Sequence, residues 1–210
     1  FSAREGLEIG VVHNGIVENY EAIRTRMRAL GYAFASETDT EVLAHHVHSL
    51  AATGLTLFEA VRAASRVWEG AYAAGFISNR EPDIVVGARK GSPLLVGLGK
   101  DENFLASDAS ALISKTREVV YLLEGDVVEV RPDRVRICDE EGRFVDRKPT
   151  HSRLSRDSVE LGPYGIRVNC VAPGNGGGAS AMGRQAIRLH FLDRGVAQPG
   201  RALGSGPRGR

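Results

Sequence analysis

Residues 12–20 have the sequence Val-His-Asn-Gly-Ile-Val-Glu-Asn-Tyr, and residues 36–41 have the sequence Ser-Glu-Thr-Asp-Thr-Glu. The apolar residues before Asn14 predict a short buried strand. Asn14-Gly15 predicts a tight turn at the end of this strand, because both residues tolerate a positive φ. Asp39 follows a threonine that can cap a helix, so we expect it in the first turn of that helix. The two stretches therefore predict a strand, a turn and a helix start in close succession.

Three helices and then a series of strands are predicted after this first strand. Asn19 is placed to cap a helix over residues 20–30. A second helix begins at Thr38-x-x-Glu41 and a third at Thr56-x-x-Glu59, and both patterns are typical of capping boxes. Short apolar runs broken by Gly, Pro and Asp then predict strands over residues 72–78, 84–88, 94–97, 104–106, 119–123, 127–130 and 135–137. This order of elements predicts an α+β or layered α/β domain.

Charge and glycine are distributed unevenly along the 210 residues. Residues 151–210 hold nine arginines, no lysine and three acidic residues, although the whole chain has a formal charge of only +1. The same sixty residues contain 12 of the 25 glycines. We therefore predict a domain over residues 1–150 and an unrelated, Gly/Arg-rich extension over residues 151–210 that is disordered or irregular.

Several classes of protein are excluded by composition. The two cysteines, Cys138 and Cys170, stand in apolar contexts and form neither a disulfide framework nor a zinc-binding pattern. No apolar run is long enough to span a membrane, and the first residues do not resemble a signal peptide. We expect a cytoplasmic protein with no bound metal or cofactor.

Two clusters of polar residues have a structural and a functional interpretation. His45 and His48 have the i, i+3 spacing of a metal-binding pair, but packed or solvated helix histidines are the favoured interpretation. Residues 24–28 form the basic run Arg-Thr-Arg-Met-Arg, which we interpret as the solvated face of an amphipathic helix.

The first two stretches also contain groups suited to the hydrolysis of a carboxamide. That reaction passes through an oxyanion, and one preorganised donor aimed at it is typically worth about 2.7–4 kcal/mol. The side-chain amide of Asn14 and the backbone N–H of Gly15 are two such neutral donors. The carboxylate of Asp39 can pair with the α-ammonium group of an amino acid. From these residues alone, a plain turn and a helix cap remain the alternative interpretations.

Both stretches resemble the amino-terminal glutaminase domain of the glutamine–fructose-6-phosphate aminotransferase (glucosamine-6-phosphate synthase) family, a class II amidotransferase. The His-Asn-Gly sequence is shared with other amino-terminal-nucleophile glutaminases. The resemblance continues, in the family's order and spacing, through residues 69–72 (Glu-Gly-Ala-Tyr), 88–94 (Ala-Arg-Lys-Gly-Ser-Pro-Leu), 102–108 (Glu-Asn-Phe-Leu-Ala-Ser-Asp) and 124–127 (Glu-Gly-Asp-Val).

The resemblance implies a four-layer αββα sandwich, here incomplete, and specific roles for three residues. Asn14 and Gly15 would stabilise the oxyanion, and Asp39 would bind the α-amino group of the substrate glutamine. The ammonia released would pass to a sugar-phosphate isomerase domain that converts fructose 6-phosphate to glucosamine 6-phosphate. The parent protein would be a homo-oligomer, and neither a membrane nor a nucleic acid is an expected partner.

In that family the nucleophile is a cysteine at the first position of the mature chain. This sequence begins with Phe1, so the corresponding segment would lie upstream, and we expect the 210 residues alone to hydrolyse no glutamine. Cys138 and Cys170 are internal and lack the free α-amino group that serves as the base in the family.

The last sixty residues do not continue the family pattern. Residues 159–174 resemble a late strand of short-chain dehydrogenases, and residues 194–210 resemble translated structural-RNA regions. A basic tail that binds nucleic acid through phosphates is the less favoured alternative. Two further interpretations of the whole chain stay open: the glutaminase domain of an amidophosphoribosyltransferase-like or asparagine-synthetase-like enzyme, and a non-catalytic chimeric fragment.

Overall fold

The computed structural model describes residues 1–152 and 169–172. The helices are α1 (Tyr20–Ala29), α2 (Asp39–Ala51) and α3 (Leu57–Ser65). The strands are β1 (Ser2–Arg4), β2 (Leu7–Val17), β3 (Gly70–Ser78), β4 (Glu81–Lys90), β5 (Leu95–Leu98), β6 (Asn103–Ala106), β7 (Glu118–Tyr121), β8 (Val127–Val130), β9 (Val135–Cys138), β10 (Phe144–Val145), β11 (Thr150–His151) and β12 (Asn169–Ala172). All seven strands predicted from the apolar runs are present, with ends that differ by no more than three residues.

Two antiparallel sheets stack face to face. The first has the strand order β1-β2-β3-β4-β8-β9-β10, and the second has the order β11-β7-β5-β6-β12. The three helices cover the outer face of the first sheet, where Val42, Trp68 and Phe76 belong to one buried cluster. A second cluster, which includes Val85 and Val96, fills the space between the sheets. The predicted α+β class with layered sheets is therefore confirmed.

The outer face of the second sheet carries a smaller apolar cluster. Leu95 and Phe104 project from the strands, and Leu112 covers them from beyond a short 3-10 turn at Ala109–Ala111. Within the described residues this turn stands where a four-layer sandwich has its second helical layer. No helix in the same part of the chain has the length and apolar character needed to cross a membrane.

Capping side chains explain where α2 and α3 begin. Thr38 Oγ1 accepts a hydrogen bond from the N–H of Glu41, and Thr56 and Glu59 form a complete reciprocal capping box. Asn19 precedes α1 without capping it through its side chain. Its side chain instead donates to Val67 O and accepts from the N–H of Glu69, in the segment just before β3. These bonds hold the start of α1 against the first sheet.

The predicted Asn14-Gly15 turn is wrong. Strand β2 runs through both residues without interruption, and Asn14 pairs with Ala73 while Gly15 pairs with Tyr72 on β3. Gly15 does have a positive φ, +118°, as expected of a glycine in such a sequence, but the chain does not turn there. The long partner strand keeps the chain extended, so tertiary pairing overrides the local preference of Asn-Gly.

Part of the Gly/Arg-rich extension lies within the described residues. Strand β11 pairs with β7, and β12, which belongs to the dehydrogenase-like stretch, pairs with β6 along the full length of that strand. The remaining residues of the extension, and with them the expectation that it is disordered, lie outside the described residues.

A buried ion pair fastens residues 144–149 to the first sheet. The side chain of Asp126 is fully buried and accepts two hydrogen bonds from Arg147, at 2.8 and 3.1 Å. Asp126 also accepts from the N–H of Leu123 at 2.7 Å. The neighbouring pair of Arg143 and Asp139 has a similar geometry, but the Arg143 side chain is 71% exposed.

We expect Arg147→Met to lower the free energy of unfolding by about 3 kcal/mol, because it leaves the buried Asp126 carboxylate without a counter-charge. The control Arg143→Met removes an arginine whose side chain is 71% exposed, and it should cost less than about 1 kcal/mol. Urea titrations followed by circular dichroism measure both. Equal losses for the two variants would show that the Arg147 pair is as weak as a surface pair.

Candidate glutamine-binding edge of β2

The candidate site lies along the edge of β2 that faces away from β3. Strand β1 covers this outer edge only over the first three residues of β2. The N–H of Glu18 bonds to Glu69 O on the β3 side. Successive N–H groups of an antiparallel strand point to alternate edges, so those of Gly15 and Val17 face the outer edge.

Asp39 reaches this outer edge from the first turn of α2. Its Oδ2 accepts a hydrogen bond from the N–H of Val17 at 2.9 Å, although the two residues are 22 positions apart. Asp39 follows the cap residue Thr38 and makes no cap of its own. A carboxylate at a helix N-terminus is stabilised by the helix dipole. The Asp39 side chain is 19% exposed, so a small ligand can reach the carboxylate group.

Gly15 can be replaced by no other residue without a clash. A Cβ built on it would lie 2.1 Å from the backbone oxygen of Ala71, and its φ of +118° disfavours any L side chain. Because this Cβ would point towards β3, the absence of a side chain at Gly15 lets β2 lie close to Ala71.

The side chain of Asn14 lies on the opposite face of β2 from its neighbour His13, because side chains alternate along a strand. Asn14 is partly buried, and it makes no side-chain hydrogen bond within the residues that the structure describes. Its amide is therefore not consumed by a structural contact in this part of the chain. The structure brings the carboxylate of Asp39 to the strand segment that carries Asn14 and Gly15.

His13 is a member of the site that the sequence analysis gave no role. Its side chain is only 2% exposed, and Nδ1 lies 3.2 Å from Thr40 Oγ1 and 3.8 Å from Asp39 Oδ1. Burial lowers the pKa of His13, although the nearby Asp39 carboxylate opposes that shift. Nε2 is buried and has no hydrogen-bond partner among the described residues. Burial of the ring therefore disfavours the protonated imidazole.

The basic run at residues 24–28 is not entirely a solvated face, and that interpretation is wrong for Arg24. Arg24 is only 3% exposed, and its guanidinium bonds to backbone carbonyls between α1 and α2. Tyr20, one helical turn earlier, and Phe34 flank the guanidinium. The spacing of Tyr20 and Arg24 was the only signal in the sequence, since the carbonyl partners come from a loop.

The histidines of α2 are packing residues, as the favoured interpretation predicted. His45 bonds to Ser2 Oγ and Ala33 O, and His48 bonds to Tyr32 and to the backbone of β1 and β2. His46 Nδ1 accepts the indole N–H of Trp68 at 3.0 Å. Among the described residues, no three His, Cys, Asp or Glu side chains are grouped to hold a metal ion.

Comparisons with known proteins identify relatives of this chain. A family model described as a glutamine amidotransferase domain matches residues 1–114. The glutamine–fructose-6-phosphate aminotransferases (isomerizing) of Bordetella pertussis and Neisseria meningitidis serogroup A are both 51% identical to the chain, over 156 and 158 residues. These matches cover 74% of this chain but 25% and 26% of the two relatives. The chain thus spans about a quarter of the length of the curated relatives it matches.

Solved structures are similar at the level of the fold. A protein described as the allosteric regulatory enzyme of purine biosynthesis has a TM-score of 0.50 and 22% identity, over 74% of this chain and 30% of that one. The glutamine phosphoribosylpyrophosphate amidotransferase of B. subtilis has a TM-score of 0.48 and 24% identity, over 74% of this chain and 31% of that one.

We expect Gly15→Ala to distort β2 and to destabilise the fold by more than the roughly 1–2 kcal/mol that a positive φ costs a non-glycine residue. Gly54→Ala is the control, because Gly54 has a φ of +101° with no atom within 4 Å of a built Cβ. Urea unfolding of both variants separates conformational strain from the clash with Ala71 O. Equal destabilisation would mean that β2 and β3 adjust freely around Gly15.

We also expect the free energy of unfolding to decrease at acidic pH, because the buried His46 resists protonation in the folded state. Burial, and to a smaller extent Arg26, lower the pKa of His46 to about 4. The unfolded chain therefore takes up this proton first as the pH falls from about 6.5 towards 4, which costs up to about 3 kcal/mol of stability. His46→Gln keeps an acceptor for Trp68 and should show a shallower decline between pH 7.5 and 4.5. Identical pH slopes in urea titrations of the two proteins would contradict this.

Proposed function

This chain belongs to the glutamine amidotransferase domain family, and from that premise we propose that its outer β2 edge binds glutamine for release of ammonia. The 51% identity to glutamine–fructose-6-phosphate aminotransferases supports that family as the origin of the domain. Residues 1–150 would form the glutaminase domain, and residues 151–210 an unrelated extension.

The observation that carries the proposal is the position of the Asp39 carboxylate. It meets the outer edge of β2 at Val17, two residues beyond Gly15, and one of its oxygens is occupied by the Val17 N–H. A carboxylate has about four acceptor sites, so the second oxygen can take the α-ammonium of glutamine. Charge-assisted hydrogen bonds of this kind are about twice as strong as neutral ones.

Asn14 and Gly15 would act at the other end of the bound glutamine. The Gly15 N–H faces the outer edge, and the Asn14 amide is not engaged in a structural hydrogen bond among the described residues. Neutral donors of this type stabilise an oxyanion more than they stabilise the carbonyl from which it forms. Their contribution is therefore expected in the transition state rather than in the binding of glutamine.

The attacking thiolate must come from a residue other than Cys138. Cys138 is fully buried on β9, four strands from β2 across the sheet, which corresponds to roughly 19 Å. Cys138 and Cys170 are both internal, so neither carries the free α-amino group that would serve as the base, and we propose that the 210-residue chain binds glutamine without turning it over. Glutamine hydrolysis, transfer of ammonia to fructose 6-phosphate by an isomerase domain, and assembly into a homo-oligomer are proposed for the parent protein.

The competing amidotransferase families receive less support. The solved structure described as the allosteric regulatory enzyme of purine biosynthesis is 22% identical to this chain, which is a similarity of fold alone. The 51% identical relatives are named as aminotransferases that act on glutamine and fructose 6-phosphate. A non-catalytic fragment remains the outcome if the chain fails to bind glutamine.

Titration calorimetry with L-glutamine tests the proposal on the purified chain. We expect Asp39→Asn to weaken binding by about 10- to 150-fold, the equivalent of one hydrogen bond to a charged group. The asparagine can still accept from the Val17 N–H, so the strand contact is preserved. Asn14→Ala should change the affinity by less than about 3-fold, because its donor acts mainly in the transition state.

Glu37→Gln is the matched control, since it removes one exposed negative charge from the same segment. It should bind glutamine like the wild type. If the wild-type chain does not bind glutamine, or if Asp39→Asn binds it equally well, the proposed function of this edge is wrong.

A further inference from the structure

Arg24 connects α1 to the segment that leads into Asp39. Its Nη1 donates to Ser36 O at 3.0 Å, and its Nη2 donates to Thr38 O at 3.1 Å. Thr38 is the residue directly before Asp39. One planar guanidinium therefore fixes two carbonyls of the α1–α2 connection at once, which the compact ammonium of a lysine cannot do in the same geometry.

Burying Arg24 in this position is costly, because the charge is not neutralised by a close carboxylate among the described residues. Its acceptors are neutral carbonyls, and Nε is buried without a hydrogen-bond partner in the described chain. The Phe34 ring lies 4.8 Å from the guanidinium carbon and the Tyr20 ring 5.7 Å from it, so aromatic faces supply part of the compensation. A neutral residue would fill this space at a lower cost, which indicates a role beyond packing.

Glu41 holds the same connection from the opposite side. Its carboxylate accepts from the N–H groups of Ala35 and Ser36, at 2.8 and 2.6 Å, and from Ser36 Oγ at 2.6 Å. Burial would raise the pKa of Glu41, but these hydrogen bonds outweigh it and lower the pKa. Glu41 belongs to α2, so it shapes the connection relative to Asp39's own helix. Arg24 belongs to α1, so its hydrogen bonds fix the position of the connection relative to that other helix.

We propose that Arg24 is a positioning residue that sets the affinity for the α-amino group of glutamine by fixing the carboxylate of Asp39 against the Val17 N–H. This inference rests on the proposed function for the identity of its ligand. The claim that Arg24 positions Asp39 depends only on the contacts of Arg24 and Asp39 described above. Arg24 touches the backbone before Asp39 and reaches no ligand. Its loss therefore acts through the placement of the Asp39 carboxylate, and small misplacements of a binding group have large effects on recognition.

The first measurement is hydrogen exchange at the Val17 amide, followed by NMR. In Arg24→Met this amide should exchange at least about 10-fold faster, relative to any change at the buried β4 amide of Val86, because its acceptor is no longer held. Arg28→Met is the control, since Arg28 is exposed on the same helix and its guanidinium carbon lies 5.6 Å from the Phe34 ring. It should leave the Val17 amide unchanged. Arg24→Lys, which keeps the charge, should fall between these two and serves as the test variant if Arg24→Met does not fold.

The second measurement compares two ligands, L-glutamine and glutaric acid monoamide, which is glutamine without its α-amino group. The preference is the ratio of the affinities for glutamine and for the monoamide. Arg24→Met should lower this ratio about 5- to 10-fold, whereas a general destabilisation of the protein would weaken the binding of both ligands equally. In a background of Asp39→Asn, the Arg24 substitution should produce no further loss of preference, because the two residues act through one contact.

The outcomes separate the two proposals. An unchanged Val17 amide in the Arg24 variants overturns the positioning role, whatever the ligands do. A preference that Asp39→Asn removes and Arg24→Met does not also overturns it. If Asp39→Asn retains the preference, the proposed function fails, and the amide exchange shows separately whether Arg24 holds the carboxylate.

Discussion

One hydrogen bond, from the Val17 N–H to the Asp39 carboxylate, joins the first sheet to the helical layer at the candidate site. It forms because Thr38 starts α2 one residue before Asp39, and because β2 continues past Gly15 far enough to present Val17. The contacts of His13, Thr40 and Arg24 are arranged around this bond, so the geometry of the site follows from it.

Much of the fold could be predicted because its signals are local. Thr38 and Thr56 mark the starts of α2 and α3, since a capping threonine needs only its own next turn. The short apolar runs located the strands for the same reason. The turn predicted at Asn14-Gly15 was wrong because its signal is also local. The strand that keeps Gly15 extended is more than fifty residues away in the sequence. Distant pairing partners are the information that a single sequence lacks.

The residues proposed for the candidate site came from the sequence, but their arrangement could not be derived from it. Asn14, Gly15 and Asp39 were found through a resemblance, and the structure brings Asp39 to the β2 segment of the other two. His13 and Arg24 were missed because their roles depend on tertiary contacts: His13 lies beside Thr40 and Asp39 of α2, and two backbone carbonyls accept hydrogen bonds from Arg24. The sequence pattern of residues 24–28 predicts a solvent-exposed face, but the α1–α2 connection packs over Arg24 and buries it.

The outer edge of β2 has a second consequence for the molecule. Beyond β1, this edge offers backbone groups that another extended chain could pair with, which is how sheets of separate molecules join. Asp39 occupies the Val17 N–H there and brings a charge into the plane of the sheet. An incoming strand would have to displace that carboxylate and desolvate it. The Asp39 carboxylate therefore opposes the addition of another strand at Val17.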